Sequence, residues 1–153
     1  VSCLEVGSRE TEIVPCRLIY AQGVLCSMFD LPSEVTLDVY ARSNTTLDKF
    51  MAGFELSTRH NQVIYGISSV HLGVEMPRVV AGQVYRLQFT FKAEMGAGDY
   101  LIDLALGWGD RGDGAPEQLL HRVSGITSLS VRHLGSRPSF FGVSDLEARL
   151  KIE

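Results

Sequence analysis

No stretch of this chain approaches the roughly 20 consecutive apolar residues that a membrane-crossing helix requires, and no cluster of lysine and arginine interrupts it. The first absence argues against a membrane span. The second, with 14 basic against 18 acidic residues and a net charge of −4, argues against nucleic acid or anionic lipid as the main partner. Cysteine is scarce too: Cys3, Cys16 and Cys26 are an odd set with no C-x-x-C spacing and no paired histidines to complete a zinc site. They read as free buried thiols, which favours a reducing compartment, with one disulfide and a spare thiol as the alternative. A start methionine and a charged-then-apolar leader are also lacking, so the chain reads as a piece of something longer. Long amphipathic helical patterns are missing as well.

What is present is a succession of short alternating runs. Hydrophobic residues at 45% and charged residues at 21% suit one ordinary globular domain of 153 residues, spanning 1–153. The clearest stretch runs from Gly82 to Trp108. Tyr85, Leu87, Phe89 and Phe91 alternate with Arg86, Gln88, Thr90 and Lys92, and Tyr100, Ile102, Leu104 and Leu106 then repeat the period of two. Between them Met95-Gly96-Ala97-Gly98-Asp99 supplies residues tolerant of positive φ, so the two strands are expected to pair as a hairpin.

Upstream, Ile13–Tyr20 is β-rich, but Pro15 cannot donate to a ladder, so this strand belongs at an edge or carries a bulge. Val24–Phe29 is another strand candidate. In Glu34–Ser43 the residues Val35, Leu37, Val39 and Ala41 face inward, while Thr36, Asp38, Tyr40 and Arg42 face outward. Phe50, Ala52, Phe54 and Leu56 form the buried side of a strand reaching about Arg59, and Val63–Ile67 returns beside it after a turn at His60-Asn61-Gln62. Gly107–Pro116 must be a loop. Leu119–Val123 and Ile126–Val131 are expected as two strands around Ser124-Gly125, and Ala148–Ile152 as a last short strand. Many short strands, each with one apolar face that only another sheet can cover, predict an all-β fold. The expected form is an immunoglobulin-like or jelly-roll antiparallel β-sandwich, with a barrel as the runner-up. An isolated final strand after a long loop is easily exchanged between two copies, so a homodimer by C-terminal strand exchange is expected.

No catalytic set assembles. His60, His71, His121 and His133 are scattered, with no G-x-S-x-G elbow or His-Glu-x-x-His helix, so they read as surface or satisfied histidines. The GDRGDG stretch has two aspartates but lacks the spaced oxygen ligands and closing glutamate of a calcium loop. Arg111-Gly112-Asp113 is an adhesion motif by spelling alone. No cofactor and no metal are expected, and the chain is not expected to be an enzyme. Binding residues are a different matter. Tyr40 shares its face with Asp38 and Arg42, and the polar rows Arg86, Gln88, Thr90 and Glu55, Ser57, Arg59 would add hydrogen-bonding groups if they line one sheet. Such a mixed polar and aromatic face suits an extended glycan, although an ordinary solvated face explains the same letters. Trp108 stands where a strand runs into a glycine-rich loop, and either stacks on a sugar or caps the core. The candidate carbohydrate-binding residues are therefore Tyr40, Arg42, Glu55, Arg59, Arg86, Gln88 and Trp108.

The order Gly53-Phe54-Glu55-Leu56, Ile64-Tyr65-Gly66, Gly82 to Phe91 and Gly98 to Leu106, closed by Phe141-Gly142-Val143-Ser144-Asp145-Leu146, resembles a known family. This is the C-terminal carbohydrate-binding domain of the ATPase subunit in O-antigen polysaccharide ABC exporters, the Wzt type. Two positions depart from the pattern: Leu56 stands where isoleucine is common, and Ile67-Ser68-Ser69 replaces the commoner Asn-Thr. The resemblance implies an ATPase domain before this fragment and work beside the membrane subunit of the transporter, on the cytoplasmic side at the inner membrane. It implies recognition of finished O-polysaccharide, with its modified end, and no chemistry of its own. The rival is a structural dimerisation module of the transporter that binds no ligand.

Overall fold

Alternation at period two turns into nine strands and, among the described residues, no helix. A computed structural model describes residues 4–20, 28–30, 34–132, 142–144 and 146–152, with the side chains of 4, 14–20 and 28–30 left aside. The strands are β1 (Leu4–Val6), β2 (Thr11–Tyr20), β3 (Met28–Asp30), β4 (Glu34–Ser43), β5 (Phe50–Thr58), β6 (Val63–Ser68), β7 (Val84–Lys92), β8 (Gly98–Trp108) and β9 (Gln118–Arg132). They form a six-stranded sheet ordered β1-β9-β8-β5-β6, with β3 also pairing β9, and a three-stranded sheet ordered β2-β4-β7. All pairs are antiparallel except β3 with β9. The expected antiparallel β-sandwich is therefore the fold.

The inward faces meet in one core. Val35, Leu37, Val39 and Ala41 of β4 pack with Phe54 and Leu56 of β5 and with Ile102, Leu104 and Leu106 of β8. Phe54 sits at its centre, its ring 5.2 Å from both Phe89 and Phe91 of the opposite sheet. Fully burying one such side chain is worth about 1.5–3 kcal/mol, so these two dry faces are enough to hold the layers together. One polar tie crosses as well: buried His121 of β9 accepts the Ile13 N–H of β2 on Nδ1 at 2.9 Å and meets Glu5 Oε2 through Nε2 at 3.2 Å. That leaves the proton on Nε2 and satisfies both ring nitrogens.

Three expectations need correcting. First, β7 and β8 are not a hairpin: β7 pairs with β4, and β8 with β5 and β9. Their connection carries buried Ala93 and Met95 across from one layer to the other. Alternation reports which face a strand buries, not which strand lies beside it. Second, residues 118–132 are one long strand instead of two. Gly125, at φ 65°, takes up extra residues in a bulge, where the partner register jumps from Ile102↔Thr127 to Leu104↔Val123. Third, residues 146–152 form no strand within the single chain, because a ladder needs a partner edge and none is engaged here.

Two further strand expectations stand. The β2 register shifts between Ile13 and Cys16, around Pro15, and β2 lies at the edge of its sheet. β5 and β6 pair as expected, through a turn in which Asn61 adopts φ 61°. The first four residues of the Val24–Phe29 candidate, His133, Cys3 and Cys26 lie outside the described residues, as does the Cys16 side chain.

Candidate functional site

Strand register puts the smallest side chains of three strands side by side on the outer face of the larger sheet. Gly53 of β5 lies between Ser68 of β6 and Ala105 of β8, and Ala105 in turn lies beside Arg122 of β9. One row further along, Gly66, Glu55 and Asp103 are neighbours. Gly53 has no room for a side chain, since a Cβ there would stand 2.7 Å from the Ile67 carbonyl oxygen. The sheet surface therefore sinks between taller walls into an open groove of about 300 Å³.

One wall is charged. Arg122 Nη2 donates to Glu55 Oε2 and to Asp103 Oδ2, each at 3.1 Å, and Asp103 Oδ1 accepts the Gly125 N–H at 2.7 Å. The bulge at Gly125 thus has a use, because it aims a backbone donor at a groove carboxylate. Partial burial works against the Arg122 charge, yet the hydrogen bond it donates to Asp103 and the charge of Glu55 more than offset it and hold the guanidinium above its ordinary pKa.

The opposite wall is the loop after β8. Pro116 lies against Gly107 so closely that any side chain at 107 would overlap it. Residues 113–116 lie over this end of the face, and Met51, which points out of the sheet on β5, is buried. Asp110 and Asp113 spend their carboxylates on the loop itself, accepting Gly112 N–H at 2.7 Å and Ala115 N–H at 3.0 Å. That backbone bond, followed by the charge of Arg111, holds the Asp113 carboxyl below the usual carboxylate range. Among the described residues no three His, Cys, Asp or Glu side chains are grouped to hold a metal ion.

The seven sequence-derived candidates divide among several places. Glu55 lines the groove. Tyr40 and Arg86 are register partners on the outer face of the smaller sheet, with Gln88 beside Asp38 and Arg42 beside Val84. Arg86 lies 5.7 Å from the centre of the Tyr40 ring and grips Asp38 with Nε at 2.8 Å and Nη2 at 3.1 Å. The Asp38 side chain is 0% exposed, so this carboxylate is covered, and its hydrogen bond raises the Arg86 pKa. Arg42 pairs with Glu12 at 3.0 Å. Arg59 follows β5 and pairs with Asp99 at 2.6 Å. Trp108 packs against the core under Lys49, whose Nζ is 5.6 Å from the ring centroid, which is the core-capping alternative. The two polar rows thus line different sheets on opposite sides of the molecule. Sequence reasoning passed over Asp103, Arg122, Ser68 and His71 as site residues. The available clue was the run of Gly53, Gly66, Ala105 and Gly107 at outward positions, where a solvated sheet face has no need of small residues.

A second opening of about 560 Å³ lies between the sheets at the β6 and β7 edges, lined by Leu56, Ile64, Tyr65, Phe91 and Met95 with Glu34, Lys92 and Glu94 at its rim. It is the larger of the two.

Fold and groove define the class first: a two-sheet β-sandwich domain offering a ligand-sized depression on the outside of one sheet. Within that class the chain belongs to the Wzt C-terminal domain family, whose model matches residues 2–146. That is a family of polysaccharide-export ABC transporter subunits. Among solved structures, the crystal structure of the C-terminal domain of Wzt is similar over 99% of this chain and 89% of its own, with a TM-score of 0.83 and 21% identity. A Niemann-Pick type C2 protein from Japanese carpenter ant is similar over 86% of this chain and 100% of its own, with a TM-score of 0.55 and 10% identity. At those identities both describe the fold alone. A comparison with curated protein sequences found no match.

Proposed function

We propose that this domain recognises O-polysaccharide for export, without catalysis, through the groove on its larger sheet. The observation that carries the reading is the floor of Gly53, Gly66 and Ala105 beside the Glu55–Arg122–Asp103 wall. A flat floor admits the face of a sugar ring, and the wall offers hydrogen-bonding groups at its edge. Two carboxylates share one guanidinium, so the wall accepts more hydrogen bonds than it donates. It therefore favours uncharged, hydroxyl-rich residues over acidic ones. Family membership supports the same reading.

The test is a 15N NMR titration of the domain with fragments of the O-polysaccharide of the source strain. Saturable shifts at Gly53, Gly66, Ala105 and Arg122 are expected. Shifts confined to Tyr40, Arg86 and Gln88 would move the site to the smaller sheet, where the Arg86–Tyr40 stack is the observation favouring it. No saturable response to any fragment refutes recognition and leaves a dimerisation module.

A second copy of the chain is the other proposed partner. Leu146, Leu150 and Ile152 are 87%, 87% and 84% exposed, and among the described residues β7 pairs only with β4. Exchange of 146–152 between copies would cover both the apolar side chains and an open edge. Removing 146–153 should convert a dimer to a monomer in light scattering; an unchanged mass rejects the exchange. The domain is further proposed to follow an ATPase domain in a longer chain and to act with the exporter's membrane subunit at the inner face of the membrane.

A further inference from the structure

We infer that His71 is a positioning residue of the groove, latching the 109–117 loop to the end of β6 so that the loop stands as a fixed wall. The inference rests on the groove being the glycan site, and its test separates the two. His71 follows β6 by three residues, whereas the loop it touches lies more than forty residues further on. The Ser68 N–H donates to His71 Nδ1 at 3.1 Å, so that nitrogen carries no proton. The proton is on Nε2, which donates to the Asp113 carbonyl at 3.0 Å. Ser68 Oγ donates separately to the Gly114 carbonyl at 2.7 Å. Two consecutive loop carbonyls are thus held by one strand end.

The close approach needs glycine. At Gly114, φ is +87° and a Cβ would overlap the imidazole, so the ring packs directly against bare backbone. The charged groups facing this junction are Asp113, its ion partner Arg111 at 3.4 Å, and, along the groove, Glu55, Asp103 and Arg122. None of them meets the imidazole with a hydrogen bond among the described residues. The latch is therefore made by backbone carbonyls, and its strength depends on where the ring's donor and acceptor point.

Two near-isosteric variants separate the ring's two jobs. In His71→Asn the side-chain oxygen can replace Nδ1 at Ser68 but nothing reaches Asp113; in His71→Gln the terminal amide can replace Nε2 at Asp113. Hydrogen exchange at Gly112, Gly114 and Ala115 is expected to accelerate about five- to tenfold in His71→Asn, the effect of one lost hydrogen bond. It should stay near wild type in His71→Gln, with melting temperatures alike in both. In the wild type, 15N spectra should show an unprotonated Nδ1 and a protonated Nε2. O-polysaccharide affinity is expected to fall about fivefold in His71→Asn and to persist in His71→Gln. Unchanged loop exchange in a folded His71→Asn, or the opposite tautomer, overturns the latch. Accelerated exchange with no glycan binding in the wild type keeps the latch and refutes the glycan reading. Accelerated exchange with unchanged affinity overturns the positioning role.

Discussion

Replacing Arg122 with methionine keeps the aliphatic stem and removes the cation that bridges Glu55 and Asp103. The guanidinium makes two 3.1 Å hydrogen bonds to carboxylates. A hydrogen bond to a charged group contributes about 1.5–3 kcal/mol when well shielded. These are half shielded: the Arg122, Glu55 and Asp103 side chains are 36%, 37% and 18% exposed. Exposed pairs contribute only about 0–1 kcal/mol because water and salt screen them. Between these limits the loss should be about 1–3 kcal/mol, with the more covered Asp103 left beside a like charge but keeping its bond from Gly125. For a domain of this size that lowers Tm by about 2–12 °C, measured by calorimetry at low salt. The reasoning makes a further demand. Adding Glu55→Gln and Asp103→Asn removes the repulsion, so the triple variant should recover most of the lost stability without recovering glycan affinity. A methionine variant that melts with the wild type, or a triple variant that melts lower still, would refute the account of the wall.

Three other perturbations reach different layers of the argument. Ala105→Trp places a large ring on the groove floor from an outward-facing position, and should abolish O-polysaccharide binding in a titration while shifting Tm by less than about 3 °C. Phe54→Ala removes the ring held between Phe89 and Phe91, and should cost about 3–5 kcal/mol in denaturant unfolding, the range for deleting a buried aromatic. The Asp113 carboxyl is held low by the Ala115 N–H, and that of Asp99 by Ser130 and Arg132. A lowered folded pKa means a contribution fully present above the ordinary carboxylate range, near pH 4, and lost as pH falls through the folded value. Acid titration by NMR should therefore find both carboxyls ionised below pH 4, and Asp113→Asn should flatten the acid limb of loop stability.

Much of the layering could be read from the letters, because burial writes itself into a strand at period two. Val35, Leu37, Val39 and Ala41 are inward as the pattern of β4 required, and Pro15 marks the bulge its missing N–H demanded. Pairing left no such mark. Tyr85 to Phe91 and Tyr100 to Leu106 have the same alternation whether they lie side by side or face each other across the core, and only the closure of two layers around Phe54 selects the second. The same limit governs the groove. Glu55 is visible as an outward polar residue, but what makes it part of the groove wall is Gly66 beside it, Asp103 across from it and Arg122 beyond. Those residues come from four strands, and their meeting is a property of register, which no single stretch encodes. Tyr40 and Arg86 illustrate the converse: their pairing was foreseeable as one polar face, yet the ladder sets that face on the smaller sheet, where Arg86 is committed to Asp38. A site assembled from outward positions of several strands is thus announced less by its polar residues, which any wet face supplies, than by smallness where a solvated face would tolerate bulk. Gly53, Gly66 and Ala105 meet that description and the fold brings them onto one floor, while Gly107 makes room for Pro116 of the loop wall.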